Sequence, residues 1–129
     1  MSKVMDSINA SLQSALAING TIGAAIGDWG TGFSLGQVSL NDTVFPTSKL
    51  EQAIAFNSEV IKAKNRTREA LAIAAPIEDI LITLEDQYHL IRMCETAEGV
   101  FFYLVMDREK ANLGLARIKL RQIEKGLQI

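Results

Sequence analysis

The segment VFFYLVM, residues 100–106, is apolar at every position. Successive side chains of a strand point to opposite faces of its sheet. Val100, Phe102, Leu104 and Met106 would therefore line one face, and Phe101, Tyr103 and Val105 the other. Both sets need shelter from water, so this strand belongs in the middle of a sheet that is covered on both sides. A chain of 129 residues, 48% hydrophobic and 22% charged, can provide that cover from one core, since a domain of this size buries roughly two-thirds of its unfolded surface. Residues 1–129 are accordingly expected to form a single domain that needs neither disulfide nor metal.

Two further strand-like segments precede it, IEDILITL (77–84) and YHLIRMC (88–94), with Glu85-Asp86-Gln87 and ETAEG as connections. Connections this short imply antiparallel neighbours. Glu78 and Asp79 mark the first of the two as an edge strand, where charge discourages indiscriminate pairing. Nearer the N-terminus, Val4, Ile8, Leu12 and Leu16, with Met5 and Ala15, repeat at the helical period up to about Asn19-Gly20. Ile18, Ile22 and Ile26 then fall at alternate positions of a strand, and the small residues between them would let a helix lie close. TGFSLGQV is its partner strand, with Phe33 and Leu35 on one face.

A long helix is expected over about 49–73, opened by a Ser48/Glu51 capping box and halted by Pro76. Its apolar arc runs through Leu50, Ala53, Ile54, Val60, Ile61 and Leu71, widened by Phe56 and Ala63. That arc is too wide for packing on one layer alone. A last helix, capped by Asp107 and ended by Gly126, carries a main stripe of Leu113, Ala116, Leu120, Ile123 and Leu127. Its second stripe is Ala111, Leu115 and Ile118, with a basic ridge of Lys110, Arg117, Arg121 and Lys125 between them. The element order is α-β-β-α-β-β-β-α.

Candidate chemistry is sparse. GDWGTGFSLG packs four glycines into ten positions (27–36), yet no lysine occurs between Lys3 and Lys49, as a Walker loop would need, and Leu35 stands where G-x-G-x-x-G requires glycine. A hairpin turn around Asp28-Trp29-Gly30 explains the glycines without a ligand. His89, the one histidine, has no nucleophile or orienting carboxylate evident on its strand. Cys94 lies among acidic neighbours that would raise a thiol pKa. Glu78 and Asp79, adjacent on a strand, are expected to face opposite ways and so not to share a substrate. Asp79 is expected to meet Lys64 or Arg68 of the long helix instead. Residues 108–125 hold six basic residues against two acidic ones, without the interleaved aromatics that single-stranded nucleic acid favours. Net charge is −2, which gives nucleic acid no general attraction. No stretch approaches the roughly 18–20 apolar residues of a membrane span, no export signal is evident, and a single cysteine excludes an internal disulfide. The expected compartment is the cytoplasm.

IEDILITLEDQYHLIR, followed by GVFFYLVMDREKANLGLARIKLRQIEKGL, resembles the small bacterial members of the roadblock/LC7 family, and NSEVIKAKNRTREAL is similar to that family's long second helix. The resemblance spans nearly the whole chain and is strongest over 77–127. It implies an α/β fold of the α+β sandwich type: a five-stranded antiparallel sheet ordered 2-1-5-4-3, one helix on one face and two on the other. It also implies a homodimer joined through the third strand and second helix. The residues placed at that seam are Asn57, Val60, Ile61, Lys64, Arg68, Ile77, Asp79 and Leu81, with Lys110, Arg117, Arg121 and Lys125 as candidate contacts for a further partner.

Family members are chiefly non-catalytic platforms: dynein light chains, lysosomal scaffold subunits and bacterial partners of Ras-like GTPases. The implied function is an adaptor or regulator of a small Ras-like GTPase, acting by binding one nucleotide state better than the other. No enzyme activity, cofactor, metal, nucleic-acid partner or membrane insertion is expected. Two other readings stay open: a sensor holding a small ligand near the first two strands, and a purely structural scaffold subunit.

Overall fold

The computed structural model describes residues 2–129. Its elements are α1 (Lys3–Leu16), β1 (Thr21–Asp28), β2 (Phe33–Ser39), α2 (Thr47–Ala70), β3 (Asp79–Thr83), β4 (Gln87–Met93), β5 (Val100–Asp107) and α3 (Leu113–Lys125). All five strands form one antiparallel sheet in the order β2-β1-β5-β4-β3. The doubly apolar strand is its centre, as its composition requires. Phe102, Leu104 and Met106 join Ile8, Leu12 and Ala15 of α1 and Ala116 and Leu120 of α3 on one side. Phe101, Tyr103 and Val105 join Leu50, Ile54 and Ile61 of α2 on the other.

The glycines of β1 fix how α2 lies. A Cβ at Gly27 would stand 2.5 Å from Ile54 Cγ2, and one at Gly23 would stand 3.1 Å from Leu50 Cδ1. Both positions must be bare for the helix to rest directly on the strand. The connection between β1 and β2 is the expected hairpin. Asp28 Oδ1 accepts from the Gly30 amide at 2.9 Å, Asp28 O accepts from the Gly32 amide at 2.7 Å, and Gly32 takes φ +79°, a conformation glycine adopts without steric cost.

Several local expectations are corrected. The Ser48/Glu51 capping box does not form, because α2 starts earlier: Pro46 is its N-cap, and no side chain caps it. Phe45 just outside and Leu50 in the first turns are both buried in the same cluster, the positions of a hydrophobic staple. The helix ends at Ala70, before Pro76 can act. Ala72 takes φ +56°, and Arg68 Nη1 donates to the carbonyls of Ile73 and Ala74 at 3.0 and 3.2 Å. For α3 the cap is Asn112, whose side chain accepts from the Leu115 amide at 3.0 Å, while Asp107 closes a turn by accepting from the Glu109 amide. Ile22 and Ile26 do not share a face: the β1–β5 register shifts between Thr21 and Gly23, and this bulge turns Ile22 to the α2 side while Ile26 stays on the α1/α3 side.

Candidate interaction surface

Lying over β1 and β2, α2 leaves the other half of its own sheet face thinly covered. Ile80 and Ile82 of β3 and His89 and Met93 of β4 point to that face and are half-buried. The flank of α2 above them is apolar as well. Phe56 (74% exposed), Val60 (39%) and Leu71 (64%), with half-buried Ala63 among them, follow one another at helical spacing. The wide arc inferred from periodicity is therefore present, and only its Leu50–Ile54–Ile61 side is used within the chain. Beyond Ile80 and Ile82 the sheet stops, and among the described residues no strand lies beside the outer edge of β3. An apolar floor, an apolar wall and an open edge thus adjoin one another.

A polar chain crosses the floor. His89 Nε2 lies 2.8 Å from Gln87 Oε1, and His89 Nδ1 lies 2.9 Å from the Tyr103 hydroxyl. The carboxamide oxygen can only accept, so Nε2 carries the proton and Nδ1 accepts from the phenol. Edge-on contacts from Phe45 and Tyr103 enclose the imidazole, with ring centroids at 5.8 and 5.6 Å. Burial lowers the His89 pKa below 6.5, partly opposed by Asp86. Burial likewise pushes the Tyr103 phenol well above its ordinary range. These are neutral, mutually satisfied groups. No partner for His89 is evident in the sequence because Tyr103 comes from a neighbouring strand and Gln87 reads as part of a turn.

Among the residues placed at the seam by resemblance, Val60 and Lys64 lie on α2, Val60 exposed and Lys64 on the same open side of the helix, and Asn57 is half-buried beside the open floor. Ile61 is wholly buried in the chain's own core, and Arg68 is occupied by Asn65 and the carbonyls that end α2. Ile77 is half-buried next to Pro76 and Met93. Asp79 and Leu81 lie on the opposite side of β3. Leu81 packs against the α1/α3 core, and Asp79 takes two hydrogen bonds from Arg117, at 2.9 and 3.2 Å. The expected pairing of Asp79 with Lys64 or Arg68 is thus replaced by one with α3. Glu78 precedes the strand, so alternation does not govern it; it faces Arg121 at 3.8 Å, on the same side as Asp79. Of the basic ridge, Arg117 is committed to Asp79, while Lys110, Arg121 and Lys125 remain exposed.

One constellation has no counterpart among the sequence expectations. Arg92 of β4 and Glu124 of α3 are 2% and 1% exposed and meet at 2.8 Å. Glu124 also accepts from the Glu95 amide at 2.9 Å. The pair ties the C-terminal helix to the end of β4. The available signal was an arginine inside an apolar strand, matched by a glutamate on the stripe side of a helix. Among the described residues no group of three His, Cys, Asp or Glu side chains could hold a metal ion, and no helix is long and apolar enough to cross a membrane. A concavity of about 880 Å³ opens beside Thr21, Ile22 and Leu40, at the end of the first two strands where a ligand sensor would bind.

No protein-family model and no curated protein sequence matches the chain. Solved structures do. MglB of Myxococcus xanthus aligns with a TM-score of 0.76 at 12% identity, over 98% of this chain and 89% of that one. A roadblock/LC7 domain from Streptomyces avermitilis aligns at 0.74 and 12%, over 96% and 93%. The gliding protein MglB of Thermus thermophilus aligns at 0.74 and 18%, over 97% and 93%. At such identities the likeness is one of fold: the chain has the roadblock/LC7 fold over nearly its whole length.

Proposed function

We propose that two copies of this chain join through α2 and the β3 edge into a non-catalytic platform that serves as adaptor or regulator for a small Ras-like GTPase. The observation that carries the reading is the half-used arc of α2 beside a thinly covered sheet floor and a strand with one open edge. A second copy would supply what each lacks: its own Phe56–Val60–Leu71 strip for the floor of Ile80 and Ile82, and its own β3 for the open edge. An interface of the usual size, about 1,600 Å² in total, suffices for a stable dimer.

The GTPase part of the reading rests on the roadblock/LC7 likeness. Its physical content is narrow: the dimer must bind one nucleotide state of the partner's switch loops more tightly, because equal affinity for both would shift nothing. The test loads a small Ras-like GTPase from the same source with GDP or a non-hydrolysable GTP analogue and titrates it with the purified chain. Tenfold or greater preference for one state supports the reading; absence of binding in either state refutes it.

A further inference from the structure

The floor of the open face contains the chain's one titratable imidazole, half-buried and with both ring nitrogens engaged. His89 donates from Nε2 to Gln87 and accepts at Nδ1 from Tyr103, at 2.8 and 2.9 Å. A second proton would go to Nδ1, where the Tyr103 hydroxyl already points its own, and would force that hydroxyl hydrogen to turn away. The charged groups around the ring are few. From the β3–β4 turn, Asp86 favours the imidazolium. From α2, the Lys49 ammonium sits 5.3 Å from the centre of the Phe45 ring that abuts the imidazole. From β5 comes the neutral Tyr103 phenol, and the cross-strand neighbours Ile82 and Val105 bring no charge.

We infer that His89 makes self-association of this chain pH-dependent, its protonation loosening the contact between copies. The inference rests on the proposed seam. There, a partner's α2 strip would lie over Ile80, Ile82 and His89 and remove the water that still reaches the half-buried ring. An imidazolium stripped of that water is compensated only by Asp86, whereas the neutral ring keeps both hydrogen bonds and loses nothing. Association therefore favours the neutral form, and by linkage acid favours separate protomers. Each unit by which pairing lowers the imidazole pKa is a tenfold change in affinity per protomer.

The experiment is sedimentation equilibrium of the full chain at pH 7.5 and 5.5, with circular dichroism to verify folding, alongside His89→Gln. The inference expects the dimer dissociation constant to rise at least tenfold at pH 5.5 and this rise to disappear in the variant. A second readout on the unaltered chain covers a variant that fails to fold: the single imidazole's pKa, followed by NMR, should be lower in concentrated than in dilute samples. A dimer whose affinity and imidazole pKa ignore pH and concentration overturns the inference while leaving the proposed seam intact. A pH dependence that survives in His89→Gln overturns it too. A chain monomeric at both pH values overturns the seam and the inference together.

Discussion

Replacing Glu124 by alanine tests whether the α1/α3 layer is fastened as the geometry indicates. In the native chain Glu124 Oε1 accepts from Arg92 Nε and Nη2 at 3.2 and 2.8 Å, and Oε2 accepts from the Glu95 amide at 2.9 Å. Its removal leaves a guanidinium that is 2% exposed with Glu95 as its remaining ion-pair contact, and that carboxylate is 65% exposed. It also strips the Glu95 amide of its acceptor. Breaking a buried pair from one side costs about 3–5 kcal/mol, a large part of the roughly 5–15 kcal/mol that holds a domain of this kind. Urea titration followed by circular dichroism at fixed protein concentration should report that loss. The melting temperature should fall by roughly 10 °C or more. The paired replacement Arg92→Met with Glu124→Leu removes both charges and should recover most of the stability, because a buried ion pair roughly breaks even against apolar side chains of similar volume. A loss below about 1 kcal/mol for Glu124→Ala would show that water screens the pair. A double variant as damaged as the single would show that packing, and not the stranded charge, sets the cost.

Smaller perturbations probe other parts of the fold. Gly27→Ala forces a methyl against the fully buried Ile54 and should cost about 1–3 kcal/mol in the same titration; an unchanged midpoint would mean that α2 does not rest on β1 as described. Asn112→Ala should cost about 1 kcal/mol, whereas Ser48→Ala, which removes no cap, should stay within about 0.5 kcal/mol; the reverse ranking would restore the capping-box reading of α2. His89 titrates below 6.5 in the folded chain, so as pH falls through 6.5 the unfolded chain takes up the proton first and stability declines toward the folded-state pKa. Thermal melts between pH 7.5 and 5.5 should show this decline, reduced in His89→Gln; identical pH profiles would place the imidazole in water.

Most of the architecture is legible in the sequence because it follows from patterns that tertiary context seldom overrides. A strand apolar on both faces has one possible place in a sheet, and short connections leave antiparallel pairing as the available topology. The width of α2's arc is equally legible, and with it the prospect of a face left over. What escapes detection is set by pairwise geometry. Alternation cannot announce a bulge, so it puts Ile22 on the wrong face. A capping motif in sequence does not say where a helix begins when Phe45 and Pro46 anchor it earlier. Charge alone matches Asp79 to the cations of α2, but its strand position turns it toward Arg117. The contacts of Arg92 with Glu124 and of His89 with Tyr103 join residues 32 and 14 positions apart, and no local signal couples them.

The central claim is that the exposed flank of α2 is satisfied by a second copy, and sedimentation equilibrium of the wild type beside Val60→Glu tests it most directly. The account predicts about twice the 14.1 kDa chain mass for the wild type at micromolar concentration and pH 7.5, and a folded monomer for the variant. A wild type that sediments as a monomer, or a Val60→Glu dimer of undiminished affinity, would contradict it.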